Sequence, residues 1–99
     1  MIHVSPEELA LVCRILREHV PDCEVRAFGS RVRGCHRPHS DLALVVKGQA
    51  CLAVLWLGLL REAFRESTLP FRVDVLDSHE IPDSFHAVID AGYERVVFG

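Results

Sequence analysis

The sequence predicts an α/β or α+β fold: a small mixed sheet with helices packed against it. Three observations carry that prediction. Helical-period segments and short apolar runs alternate in the order α-β-β-α-β-α-β. The first helix opens on a complete capping signal. Polar residues collect at the strand ends. With 99 residues there is chain for one domain, residues 1–99, and a modest core.

The elements follow in order. Ser5-Pro6-Glu7-Glu8 starts a helix: Ser5 caps, Pro6 suits the first helical position and Glu8 completes the capping box. Leu9, Val12, Cys13, Leu16 and Val20 continue at helical spacing until Pro21-Asp22 stops it. EVRAF (24–28) is a short strand ending at Gly29, and 30–40 is a turn with one helical turn at its start. DLALVV (41–46) is a nearly continuous apolar strand, the pattern expected when both faces are covered. A helix is expected from Gln49 to Ser67, a third strand at 71–76, a last helix from Ser78 to Ala91 and a closing strand at 94–98.

Composition narrows the function. Net charge is −3, which argues against a nucleic-acid binder while leaving room for a local basic patch. Cys13, Cys23, Cys35 and Cys51 are irregularly spaced with no C-x-x-C, a pattern that favours reduced thiols in a cytoplasmic protein. MIHVSPEE has no basic segment leading into an apolar core, so no secretory leader is expected. The longest apolar run, Ala50 to Leu60, falls well short of the roughly 20 residues a membrane span needs.

The chemistry concentrates in FGSRVRGCHRPHSDLALVV, residues 28–46. A hydrolase elbow needs G-x-S-x-G, and Ser30 has no visible acid–base partner. Gly29 and Gly34 have phosphate-loop spacing, but Cys35-His36 stands where Lys-Ser/Thr is required. Cys35, His36 and His39 lack a fourth zinc ligand at sensible spacing, which leaves a solvated loop as the plainer reading. A different phosphate geometry fits better. Gly29 lets a phosphate approach the backbone, and Ser30 adds a hydroxyl and an N–H at the start of a helical turn. Arg31, Arg33 and Arg37 add positive charge, while Asp41 and Asp74 present carboxylates from two strands. Carboxylates facing a phosphate call for a divalent cation between them. The bland alternative is an ordinary turn with two solvated strand ends.

GSRVRG followed by SDLALVV, with FRVDVLD further on, resembles the minimal nucleotidyltransferases of the DNA polymerase β superfamily. Their signature is G-S-x-x-x-G, then S-D-[IL]-D-[LIV], then a third aspartate on a later strand. The resemblance covers nearly the whole chain and implies a nucleotidyltransferase-type fold. It implies that Gly29 and Ser30, assisted by Arg33, hold the triphosphate of ATP. It makes Asp41 a ligand of Mg²⁺, and Asp74 a ligand that also assists the attacking hydroxyl. The expected activity is transfer of AMP to a hydroxyl. Small members of this family are commonly antitoxins paired with a HEPN toxin (a helical RNase), and some modify a tyrosine of that toxin.

The sequence departs from the signature at Ala43, where the family has its second metal-binding aspartate. Residues two apart on a strand share a face, so Asp41 and residue 43 would clamp one metal pair together. A methyl group ligates nothing. An inactive member, a substitution introduced to block turnover, and rescue by Asp77, Glu80 or His39 are the competing explanations; Asp77 has the wrong parity relative to Asp74. A catalytically weak or inactive antitoxin that acts by direct complex formation is therefore the alternative function.

QACLAVLWLGLLREAF is apolar nearly all round. Either it packs as a central helix, or Trp56, Leu57 and Leu60 within 49–66 meet a toxin partner or a second copy. His3, His19, His79 and His86 are expected to be structural or solvent-facing, and Tyr93 a core aromatic.

Overall fold

The computed structural model describes residues 2–49 and 52–98. The elements run α1 (Pro6–His19), β1 (Glu24–Phe28), α2 (Ser30–Arg33), β2 (Leu42–Lys47), α3 (Val54–Arg65), β3 (Val73–Asp77), α4 (Asp83–Asp90) and β4 (Tyr93–Val96). The four strands form one mixed sheet in the order β3-β2-β1-β4. β1 is antiparallel to both β2 and β4, while β2 and β3 are parallel and joined through α3. This is the mixed sheet with packed helices that the sequence predicts.

α1 starts where the capping box places it. The Glu8 N–H donates to Ser5 Oγ at 3.1 Å, and the Ser5 N–H returns to Glu8 Oε1 at 2.7 Å. Its apolar stripe (Val12, Ile15, Leu16) packs with Leu57, Leu60 and Phe64 of α3 on one face of the sheet. Val25, Ala27, Leu42, Leu44, Val46 and Val75 supply the sheet side of that core. Val45 and Ile89 are buried outside it, on the opposite face, where Phe85 of α4 meets Phe28 edge-on at 5.8 Å. β2 is thus covered on both sides over most of its length, as its unbroken apolar run requires.

Several boundaries differ from expectation for local reasons. α3 begins at Val54 rather than Gln49, with residues 50 and 51 lying outside the described residues. The Leu52 N–H donates to Asp77 Oδ2 at 2.7 Å, so the chain is tied to the end of β3 before it winds into the helix. β3 starts at Val73 because Phe71 turns into the core first. α4 starts at Asp83 because Pro82 keeps the residue before it out of helical geometry. β2 is displaced by one residue, at 42–47, and β4 starts one residue earlier and ends two earlier than predicted, at 93–96.

The apolar surface of α3 also differs from expectation. Leu57 and Leu60 are core residues and unavailable to a partner. Val54, Leu55, Trp56 and Leu59 are the exposed ones, at 85%, 70%, 54% and 45%. Tyr93 is not core either: it is partly exposed, with the Arg26 guanidinium 4.2 Å from its ring centroid. No described helix is long and apolar enough to cross a membrane.

Candidate active site

The polar end of the sheet is built by the β1–β2 connection. Gly29 has φ 89° and ψ −159°, a conformation open essentially to glycine alone, and it turns the chain from β1 into the single helical turn of α2. Gly34 closes that turn in the left-handed region at φ 82°. Both glycines are thus demanded by backbone geometry. The Val32 and Arg33 N–H groups bond back to the Gly29 carbonyl at 3.0 and 3.1 Å. The N–H groups of Ser30 and Arg31 meet no acceptor among the described residues. They stay available to an anion at the start of the turn.

The register then sets the carboxylates. Phe28 pairs with Ala43, and Ala43 pairs with Asp74. A side chain built on Gly29 would sit 3.8 Å from the Ala43 Cβ, so the turn lies directly against residue 43. Asp74 is one strand further, about 4.8 Å away across the parallel pair. The Leu42 N–H donates to the Arg72 carbonyl at 2.9 Å, which carries the register back and sets Asp41 beside Arg72. Asp41, Ala43, Arg72 and Asp74 therefore share one face, beside Gly29. Gly29, Ser30, Asp41 and Asp74 are brought together as their sequence pattern predicts. Arg33 is exposed one turn along α2.

Two arginines take roles the sequence did not reveal. Arg31 is only 4% exposed and is not a phosphate ligand. It donates to the carbonyls of His3 (2.8 Å), Pro38 (3.0 Å) and Ser40 (2.8 Å), and its guanidinium lies 4.1 Å from the Phe71 ring centroid. It pins the 36–40 loop and the N-terminal segment, and so fixes the approach to Asp41. Arg72 grips Asp74 Oδ1 through Nε at 3.0 Å and Nη2 at 2.9 Å, leaving Oδ2. Spacing alone hinted at this pair, since i and i+2 on a strand share a face. Asp77 points the other way, as its parity requires. It is buried and accepts from the Leu52 and His79 N–H groups, so it does not replace the missing ligand.

The remaining loop residues make no metal centre. His36 stacks on His3 with centroids 5.3 Å apart, and no cluster of three candidate ligands exists among the described residues. The carboxylates that a Mg²⁺ ion would meet at this end of the sheet are those of Asp41 and Asp74. Mg²⁺ commonly takes one or two carboxylates together with substrate phosphates, so this pair fits one ion arriving with a triphosphate. It does not fit the two-ion clamp, whose shared carboxylate is missing at Ala43.

Fold and site together define a nucleotidyltransferase-type protein. No family model matches the sequence. The chain is 44% identical over 92 residues to the probable protein adenylyltransferase MntA of Haemophilus influenzae, spanning 93% of this chain and 81% of that protein. Two solved structures share the fold. A toxin–antitoxin with AMP-PNP gives a TM-score of 0.76 at 18% identity, over 92% of this chain and 73% of that one. A mutant of the toxin–antitoxin MntA–HpeT gives 0.75 at 17% identity over the same shares. The chain belongs to the MntA family of minimal nucleotidyltransferases.

Proposed function

We propose that the chain transfers an adenylyl group from ATP to a hydroxyl of a protein partner. The observation that carries this reading is the placement of Gly29, Asp41 and Asp74 around one point at the end of the sheet. The triphosphate rests on the Gly29-Ser30 turn with Arg33 near it, and Asp41 and Asp74 hold Mg²⁺ with its phosphates. That ion neutralises phosphate charge. The acceptor oxygen forms a bond to the α-phosphorus as the α–β bridging bond breaks, and pyrophosphate leaves. Asp74 orients the acceptor hydroxyl and takes its proton, a role an aspartate commonly fills in such transfers.

The partner is a toxin, of HEPN type by sequence resemblance, and its acceptor is a tyrosine. The 44% identical relative and the toxin–antitoxin complexes of the same fold support that reading. Val54, Leu55, Trp56 and Leu59 give the partner an apolar helix face to cover. Cys13, Cys23 and Cys35 are free thiols, which suits a reducing compartment such as the cytoplasm.

A second reading has a specific observation behind it. Ala43 removes one ligand and Arg72 occupies half of Asp74, which favours an antitoxin that neutralises its toxin by contact with little turnover. Incubation of the chain and its copurified partner with ATP labelled at the α- or the γ-phosphate separates the two. Transfer puts α-label on the partner and leaves γ-label in pyrophosphate. Neutralisation of the toxin in the absence of ATP, with no label on it, establishes contact alone.

A further inference from the structure

A groove of about 620 Å³ runs between the outer edge of β3 and the C-terminal half of α3. Phe64, Leu69 and Phe71 give it apolar walls, and Arg61, Arg65 and Arg72 give it cations. Asp74 is its one lining carboxylate. Arg65 is paired with Glu62 and Arg72 with Asp74, so three guanidinium groups stand against two carboxylates, a locally positive site on a chain whose net charge is −3. Asp74 also belongs to the active site, so the groove opens onto the reacting end of the sheet.

The backbone there is half-used. β3 is an edge strand. The Arg72 carbonyl and the Ser78 N–H both bond toward β2, at 2.9 and 3.0 Å, so the even-numbered peptide groups face inward. Alternation turns those of Val73 and Val75 outward. The Val75 carbonyl is taken by Arg61, through Nε at 3.2 Å and Nη2 at 2.7 Å. Val73 keeps an N–H and a carbonyl facing the groove, the pair that another extended backbone would satisfy. A polyphosphate could use the N–H only and would meet the carbonyl unfavourably. Arg65 bonds Glu62 through Nη1 alone, and Arg72 reaches Asp74 without Nη1, so both keep donors for further carboxylates.

We propose, on the adenylyl-transfer reading, that this groove docks an extended acidic segment of the acceptor protein. The segment pairs with Val73 and sets its carboxylates on Arg65 and Arg72, which brings a neighbouring hydroxyl to Asp74. Charge complementarity selects the acidic segment, and the outward Val73 peptide groups select a polypeptide over a nucleic acid.

The test uses a fluorescein-labelled peptide with one tyrosine flanked by aspartates and glutamates, and its asparagine/glutamine counterpart. Binding is read by anisotropy without nucleotide. The acidic peptide is expected to bind at least about tenfold more tightly than its counterpart. Arg65→Glu, at an exposed position where losing the pair with Glu62 should lower thermal unfolding only slightly, is expected to weaken it at least about tenfold. Saturating ATP should not displace it. Equal affinity for both peptides, an unchanged affinity in Arg65→Glu, displacement by ATP, or tighter binding of a short oligoribonucleotide would each overturn the assignment. Docking is read here without turnover. Peptide binding that survives when α-label never reaches a partner therefore refutes the transfer reading and leaves the groove standing.

Discussion

Ala43 and Asp74 are direct partners across the parallel β2–β3 pair, with the Gly29 turn packed on the methyl of Ala43. A carboxylate at residue 43 would therefore face the turn, with Asp41 and Asp74 on the same surface. Residue 43 therefore sits between Asp41 and Asp74 on that surface, with only a methyl group to offer there.

Gly29→Ala should damage the site by strain rather than by collision. The nearest atom to the new methyl, Ala43 Cβ at 3.8 Å, is at ordinary contact distance, but φ 89° with ψ −159° costs an alanine about 1–3 kcal/mol. Thermal unfolding should fall accordingly, and ATP affinity should weaken with it as the turn relaxes. Calorimetric titration with ATP checks the second effect; unchanged affinity would remove the turn from the binding site.

Arg31→Met should destabilise the protein by about 3 kcal/mol or more, because three carbonyls lose a charged donor in a buried setting. For a chain of this size that is a fall of more than roughly 10 °C in Tm. Arg33→Met, at an exposed position, should leave Tm nearly unchanged while weakening ATP. The two neighbouring arginines thus separate architecture from ligand binding.

Stability should respond to acid through Glu24. Its hydrogen bond from Arg26 holds the carboxyl below its ordinary 4.5. A depressed carboxyl stabilises the fold above its unfolded pKa, and that contribution is lost as pH falls through the folded value. Glu24→Gln should therefore unfold at slightly lower urea than the parent at pH 6–7, with the gap closing below about pH 4. The effect is small because the pair is only part-buried and still screened by solvent. A gap that widens on acidification would contradict the assignment.

Trp56→Glu should abolish copurification with the partner while barely moving Tm. Trp56 is more than half exposed, so the fold loses little. Truncating a central interface tryptophan commonly costs about 2 kcal/mol or more, about 30-fold in Kd. An intact complex would move the interface off α3.

The chain order of elements was readable from sequence because it rests on local signals: the Ser5–Glu8 capping box, the Gly29 and Gly34 punctuation and the apolar run of β2. The shared face of Asp41, Ala43 and Asp74 was readable because strand parity follows from spacing. What escaped depends on contacts distant along the chain. Arg31 reads as a surface cation until His3 and Phe71 are seen around it. The inward and outward faces of α3 are indistinguishable in a nearly all-apolar segment, so the sequence does not separate the buried Leu57 and Leu60 from the exposed Leu55. The acceptor groove depends on β3 being an edge, which pairing order alone decides.

The most direct measurement is the initial rate at which α-label passes from ATP to the copurified partner, for the chain as it stands and for Ala43→Asp. Restoring a carboxylate between Asp41 and Asp74 should speed transfer at least about 10²-fold, the scale of one strong preorganised electrostatic contact. Equal rates would mean that the face shared by Asp41, Ala43 and Asp74 is not where the reaction occurs.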